Sequence, residues 1–406
     1  MTRHSHLFAV WLSLALGMPA CATETDNRLP APTGIAVAAG DGDSFRAAVE
    51  AAGPGDRIEV PPGEYGNGYF FTGLRGTAGN PIVIAATDPD DPPTFSGGVE
   101  GIHLIQPQYV ELINLRFSDQ SGNGLNIDDG GDSERPARQI VLQGLEVIDV
   151  GPDGNHDGIK LSGLIDFKVE DCTVARWGRS GSGIDLVGCH QGTITGCTFR
   201  HGDDAGSSGI QIKGGSADIL VRSNHFEHSG SRAINIGGST GLQFFRPQPY
   251  AGYEAARITV EGNVFVGSTA PVAFVSADGA AFRFNTLFRP TGWVLRILQE
   301  NLTEGFIPCR DGVVTDNLIL FRSDELRTVV NIGPDTESGT FQFARNLWFA
   351  LDNPSASTPE LPSVEVDGVV GVDPKLSDPL AGDFLPTADS PDVVHRVGAH
   401  ALPPSD

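Results

Sequence analysis

The chain has 406 residues, with 27 Lys and Arg against 51 Asp and Glu and a formal net charge of −24. A surface that acidic argues against nucleic acid or an anionic membrane as partner. The length suits one long solenoid, which no single spherical core limits, and 52 glycines suit a chain of tight corners.

At the N-terminus, Arg3, His4 and His6 precede an apolar run, Leu7 to Gly17, too short to span a bilayer. Ala20-Cys21-Ala22 offers a small-residue cleavage site, so 1–22 reads as a signal peptide and the protein as secreted or periplasmic. A lipidated Cys21 is the alternative, although Met18-Pro19-Ala20 fits a lipoprotein box poorly. No later segment has the length and apolarity of a membrane span. Residues 23–42 read as a linker. Asp43 to Ala52 predicts a short helix, N-capped by Asp43 or Ser44, that covers the open end of a stack of strands. Gly55 to Tyr65 and Gly79 to Ala85 then read as the first two coils.

A six-residue pattern follows nine times: apolar, two free positions, then Asn, Cys or Leu, one free position, then apolar. Its copies begin at Leu112, Leu142, Val169, Ile194, Val221, Val260, Phe282, Val314 and Phe343, so successive starts lie 22 to 39 residues apart. A drifting period of this size marks stacked supersecondary units that cannot bury their apolar faces alone. The residues are β-branched and aromatic, bounded by Gly, Asp and Ser, and no amphipathic helix interrupts them. The fold class expected is all-β: a single-stranded right-handed parallel β-helix over 43–350 with an N-terminal capping helix. The fourth position, running from Leu115 through Cys172, Cys197 and Asn224 to Asn346, predicts an interior column. An inward Asn pairs with backbone amides at a bend and with its neighbours above and below. Cys172 and Cys197 read as small buried hydrophobes, not a disulfide.

A second pattern lies in the same coils: Gly124-Leu-Asn-Ile, Gly158-Ile-Lys-Leu, Gly183-Ile-Asp-Leu, Gly209-Ile-Gln-Ile and Ala233-Ile-Asn-Ile, with looser members around Arg296 and Asn331. With the aliphatic residues inward, strand alternation predicts an outward column of Asn126, Lys160, Asp185, Gln211 and Asn235, then Arg296 and Asn331. Neighbouring strands lie about 4.8 Å apart, so the column has the spacing to meet a polymer. Lys160 beside Asp185 also has a plainer reading, a surface salt bridge. Beyond Ala350 a Pro-, Asp- and Ser-rich segment, 351–406, reads as a closing element with a disordered tail from His400.

The opening resembles secreted β-helix proteins of the pectate-lyase-like superfamily, nearest to the polysaccharide lyases that include chondroitinase B and the alginate lyases. The resemblance rests on the helix, Gly55-Asp-Arg-Ile-Glu-Val-Pro-Pro-Gly-Glu-Tyr65, Gly76-Thr-Ala-Gly-Asn-Pro-Ile-Val-Ile84 and Tyr109-Val-Glu-Leu-Ile-Asn-Leu-Arg-Phe117. It implies a Lys base, an Arg on the next coil, and Ca²⁺ held by acidic residues just before the Lys. Lys213 stands at the base's place. Gly237 stands where the Arg is expected, and Gly206 and Ser208 where the calcium carboxylates are expected, so the chain departs from the family pattern at the Arg and at the Ca²⁺ ligands.

The candidate catalytic set is Lys213, Lys160, Asp185 and Arg232, the last as a cation reaching in from a loop. A lysine base needs cationic neighbours, which Arg232 and Lys160 would supply. A glycoside hydrolase would need two carboxylates: Asp185, with Asp157 or Asp204. Candidate substrate-binding residues are Asn126, Gln211, Asn235, His156, His201 and Arg296. Asp128, Asp129, Asp153 and Asp157 are the metal candidates, as hard oxygen ligands gathered at one end of the column. The histidines at 156, 190, 201, 225 and 228 have no zinc spacing. Trp177 and Trp293 are candidates for stacking on sugar rings or for corner packing. The expectation is a monomer that is a polysaccharide lyase-like enzyme, with a non-catalytic glycan-binding β-helix and a hydrolase or epimerase on the same scaffold left open.

Overall fold

A computed structural model describes residues 36–38, 41–202 and 206–404. The segment expected to be a signal peptide, Cys21, most of the expected linker and Asp204 lie outside these residues. The chain winds as a right-handed parallel β-helix of three sheets, with 13, 12 and 10 strands. One coil shows the path. Ser208–Lys213 lies in the 10-strand sheet, Ser216–Arg222 in the 13-strand sheet, His225–Ser229 in the 12-strand sheet, and Arg232–Gly237 returns to the first.

The hexad explains the bend between the second and third sheets. Its third residue has positive φ in every copy: Asn114, Gly144, Asp171, Gly196, Ser223, Gly262, Phe284, Asp316 and Arg345. Gly, Asn and Asp tolerate that left-handed conformation, while Phe284 and Arg345 bear its steric cost. The bend frees backbone amides, and the column satisfies them. Asn224 donates its backbone N–H and its Nδ2 to Asn263 Oδ1, each at 2.9 Å. Asn263 repeats this to Asn285 at 3.0 Å, Asn285 to Asn317 at 2.9 and 3.1 Å, and Asn317 to Asn346 at 3.0 and 2.8 Å. At the upper end the Cys197 N–H donates to Asn224 Oδ1 at 2.9 Å. Cys172 and Cys197 are buried free thiols, as their place in the column demands. The sixth hexad position stacks inside the coil, with Phe199, Phe226 and Phe265 at successive centroid distances of 4.8 Å.

The helix Gly42–Ala51 closes the N-terminal end. It is capped by Asp41, not Asp43 or Ser44: Asp41 Oδ1 accepts the Ser44 N–H at 2.8 Å. Phe45 and Val49 are buried beneath it, with the Phe45 ring against Tyr69 and Phe95 at 4.9 and 5.0 Å. At the other end, Glu365–Val366 and Val369–Val370 still pair in parallel with the coils. The tail from His400 is ordered through 404, contrary to the disorder its composition suggested. His400 Nε2 lies 2.8 Å from the Val394 carbonyl, and Ala399 donates its N–H to Thr286 Oγ1 at 3.0 Å.

Candidate functional site

The outward column of the 10-strand sheet runs in strict register. Asn126 pairs with Lys160, Lys160 with Asp185, Asp185 with Gln211, and Gln211 with Asn235. Ala273, Arg296 and Asn331 continue it. Before Asn126 comes His103, in Gly101-Ile-His-Leu104, a copy of the same motif that the sequence reading passed over.

The column is less open than alternation alone implies. Asp185 is 2% exposed and Asn235 3%. Two lysines flank Asp185: Lys160 Nζ donates to its Oδ2, and Lys213 Nζ stands 3.1 Å from its Oδ1. Lys160 Nζ also donates to Asp157 Oδ2 at 3.1 Å. Asp157 is itself fixed, its Oδ1 accepting the Ser182 N–H and its own N–H donating to Asn123 Oδ1, both at 2.8 Å. Asn123 and Asn126 both donate to Glu100 Oε1, at 3.1 and 3.2 Å. Glu100 and Asp128 hold His103 from its two ring nitrogens at 3.2 and 2.8 Å. One polar chain therefore runs from His103 through Glu100, Asn123, Asp157, Lys160 and Asp185 to Lys213.

The electrostatics differ along this chain. Burial raises the Asp157 carboxyl, the Asp185 charge raises it further, and the two lysines only partly oppose this. Burial acts the same way on Asp185, but there Lys213 and Lys160 outweigh it and hold the group below the usual carboxylate range. Burial disfavours the Lys160 ammonium, yet Asp185 and Asp157 reverse that and raise its pKa. Lys160 is thus locked as a cation. His103 is pushed up to about 9: burial lowers it, but bonds to Asp128 and Glu100 dominate. Two adjacent carboxyls driven apart in pKa, beside two amines, are the setting in which proton transfer is arranged.

Arg232 does not serve as Lys213's cationic neighbour. It is spent on Glu300 at 2.7 Å and on Asn235 Oδ1 at 3.0 Å, one coil further on. Asn235 also donates to the Gly237 carbonyl at 3.1 Å, so it braces the coil. Gln211 remains partly exposed beside Asp185. His156 adjoins Asp157 in a loop packed under Gly178 and Gly181. His201 lies away from the column, where it stacks on Trp177 with centroids 4.4 Å apart. His201 and Trp177 line a cavity of about 640 Å³ with Gln120, Asp149 and Arg176, at the turn leading out of the 12-strand sheet. Trp177 is buried and stacks on no substrate in the groove. The Trp293 ring is covered by Arg296 and Arg327.

The metal candidates do not converge. Asp128 is bound to His103, Asp129 to Arg246 through both oxygens, and Asp157 to Lys160, while Asp153 is exposed. Among the described residues no group of three or more His, Cys, Asp or Glu could hold a metal ion. The places of the calcium ligands, Gly206 and Ser208, offer no carboxylate. Gly237 has φ +107°, and a Cβ there would fall 1.7 Å from the Val275 carbonyl oxygen. This backbone excludes an arginine at that position, so the donor set does not fit the calcium–arginine arrangement.

Residues 100–287, under half of the chain, match the family model for a right-handed β-helix region. At the level of sequence no curated protein matches. The fold is similar to that of a PL6 family polysaccharide lyase from Pseudopedobacter saltans: 12% identity, 90% of this chain and 99% of that one covered, TM-score 0.53. It is also similar to a polygalacturonase from Erwinia carotovora ssp. carotovora: 13% identity, 79% and 98% covered, TM-score 0.52. An alginate lyase from Paenibacillus sp. str. FPU-7 gives 16% identity, 73% and 97% covered, and TM-score 0.50. The chain shares the right-handed parallel β-helix fold of these proteins. No described helix is long and apolar enough to cross a membrane.

Proposed function

We propose that this is a secreted enzyme that cleaves a uronic-acid-containing polysaccharide lying along the 10-strand sheet, by β-elimination with Lys213 as the base. The observation that carries the reading is the buried Asp185 carboxylate held between Lys160 and Lys213 in the middle of an outward polar column. Strands about 4.8 Å apart present one side chain per coil to a linear polymer. Lys213 Nζ, once it has given up a proton to water, would take the proton α to the uronate carboxyl. The electron pair forms the new C=C bond as the neighbouring C–O bond breaks, and the leaving oxygen takes a proton from water. Asp185, 3.1 Å away, then stabilises the ammonium formed on Lys213. Lys160, held charged, faces the negative charge that develops on the substrate carboxylate.

A second reading, glycoside hydrolysis by Asp157 and Asp185, draws on their opposite pKa shifts and their common contact with Lys160. Product analysis on a panel of acidic and neutral polysaccharides separates the two. Elimination gives unsaturated ends that absorb in the ultraviolet, at a rate insensitive to chelator, since Gly206 and Ser208 carry no carboxylate where calcium ligands are expected. Hydrolysis gives reducing ends without that absorbance. Binding with neither product overturns both in favour of a glycan-binding β-helix.

A further inference from the structure

The same sheet carries a second charged group, remote from Asp185. Arg296 continues the outward column, and between it and Asn235 stands only Ala273, small and buried. From Asp185 to Arg296 is four strand steps, about 19 Å. Arg296 Nε donates to Asn331 Oδ1 at 2.9 Å, and its guanidinium carbon lies 4.3 Å from the Trp293 ring centroid. The guanidinium of Arg327 lies 4.8 Å from the same ring. Among the described residues neither arginine has a carboxylate partner, whereas Arg176, Arg257 and Arg345 on the outer walls are bound to Asp149, Asp218 and Asp316. The nearby Arg232 uses Glu300. Burial, and then the charges of Arg232 and Arg327 against the opposing charge of Glu300, lower the Arg296 pKa.

In a chain of net charge −24, two unmatched guanidiniums on one indole are not solubilising residues. A polyanionic sugar approaching this acidic surface needs a local cationic foothold. A guanidinium stacked on an aromatic ring keeps its N–H edge free and pre-oriented for a carboxylate. We infer that Arg296 and Arg327, positioned by Trp293, form a distal subsite that binds a carboxylate of the same sugar chain several units from the Asp185 centre. This rests on the reading of the sheet as a polysaccharide groove.

The test is calorimetric titration of the full chain with short and long oligomers of polygalacturonate and alginate, beside carboxyl-reduced and sulfated polymers. The variants are Arg296→Gln, Arg327→Gln and their double, with Trp293→Phe as a positioning control; glutamine keeps side-chain bulk, and circular dichroism verifies folding. The double variant is expected to bind long oligouronates about tenfold or more weakly, the scale of lost charge-assisted contacts, with a shallower salt dependence. Short oligouronates that reach only the Asp185 centre should bind all forms alike, and carboxyl-reduced polymers should bind none tightly. Unchanged affinity of the double variant for long oligouronates overturns the subsite alone, as does equal preference for sulfated polymers. No uronate binding by the wild type overturns the functional reading and this inference together. Binding that the double variant weakens, without cleavage, overturns only the lyase chemistry.

Discussion

Replacing Lys213 with alanine removes one of the two cations that hold Asp185. Breaking a buried ion pair from one side costs about 3–5 kcal/mol. Here Lys160 stays on Asp185, and the Lys213 side chain is 18% exposed, so the loss is partial. A destabilisation of about 1–2 kcal/mol follows, more than an exposed lysine would contribute but not enough to unfold the solenoid. The sign with pH is fixed. Asp185 is held below its unfolded pKa, so its contribution is present above that value and is lost as pH falls through the folded pKa. The variant's deficit is therefore full at neutral pH and disappears in strong acid. Activity should fall by about 10²–10⁴-fold, the range for losing a general base. The assay is the initial rate of ultraviolet-absorbing product from the polyuronate the wild type prefers, with Lys213→Met to retain the stem. The control is Lys375→Ala, an exposed residue paired with Asp373 at 2.7 Å. A folded Lys213→Ala variant as active as Lys375→Ala refutes the assignment of Lys213 as base.

Two further outcomes are expected. His103 titrates at about 9, so its stabilisation is complete below its unfolded pKa of about 6.5 and is lost as pH rises through about 9; amide exchange in Ile102–Ile105 and Leu125–Asp128, corrected for the intrinsic pH effect, should speed up over that window in the wild type but not in His103→Gln. Asn285→Ala leaves the buried Asn263 N–H without its acceptor and the Val260 carbonyl without the Asn285 Nδ2 donor; at about 1–3 kcal/mol per orphaned group, a loss of about 3–5 kcal/mol should appear in chemical denaturation, and a loss under 1 kcal/mol would mean that water replaces the amide.

The β-helix was legible because its rules are local. The left-handed residue before each column position, the inward Asn and the aliphatic pair flanking each outward residue all fall within a few neighbours. Register therefore placed Asn126, Lys160, Asp185, Gln211 and Asn235 in order. What escaped was whatever depends on side chains meeting from distant coils. Alternation says that Asp185 points outward, yet Lys160 and Lys213 flank it and bury it. Arg232 looked free to help Lys213, but its partner Glu300 is 68 residues away in the chain. Arg246 and Asp129, 117 residues apart, pin the excursion between Gly237 and Ala255 beside the sheet, and neither residue belongs to a repeat. His103 was within reach, since Gly101-Ile-His-Leu104 carries the same motif as Gly158-Ile-Lys-Leu161.

The asparagine column has a direction. Every side chain from Asn224 to Asn346 accepts from the coil before it and donates to the coil after it, so its amide dipoles add in series as peptide dipoles do in a helix. The donor end meets a carboxylate: Asn346 gives its N–H and Nδ2 to Glu365 Oε1 at 2.9 and 3.0 Å. Such a spine is modular. An extra coil that supplies one more Asn in step prolongs the series without disturbing it, so this stretch is where duplication could lengthen the molecule. A coil spliced in after Asn346 would instead part the last donor from Glu365, making that glutamate a fixed terminus for growth.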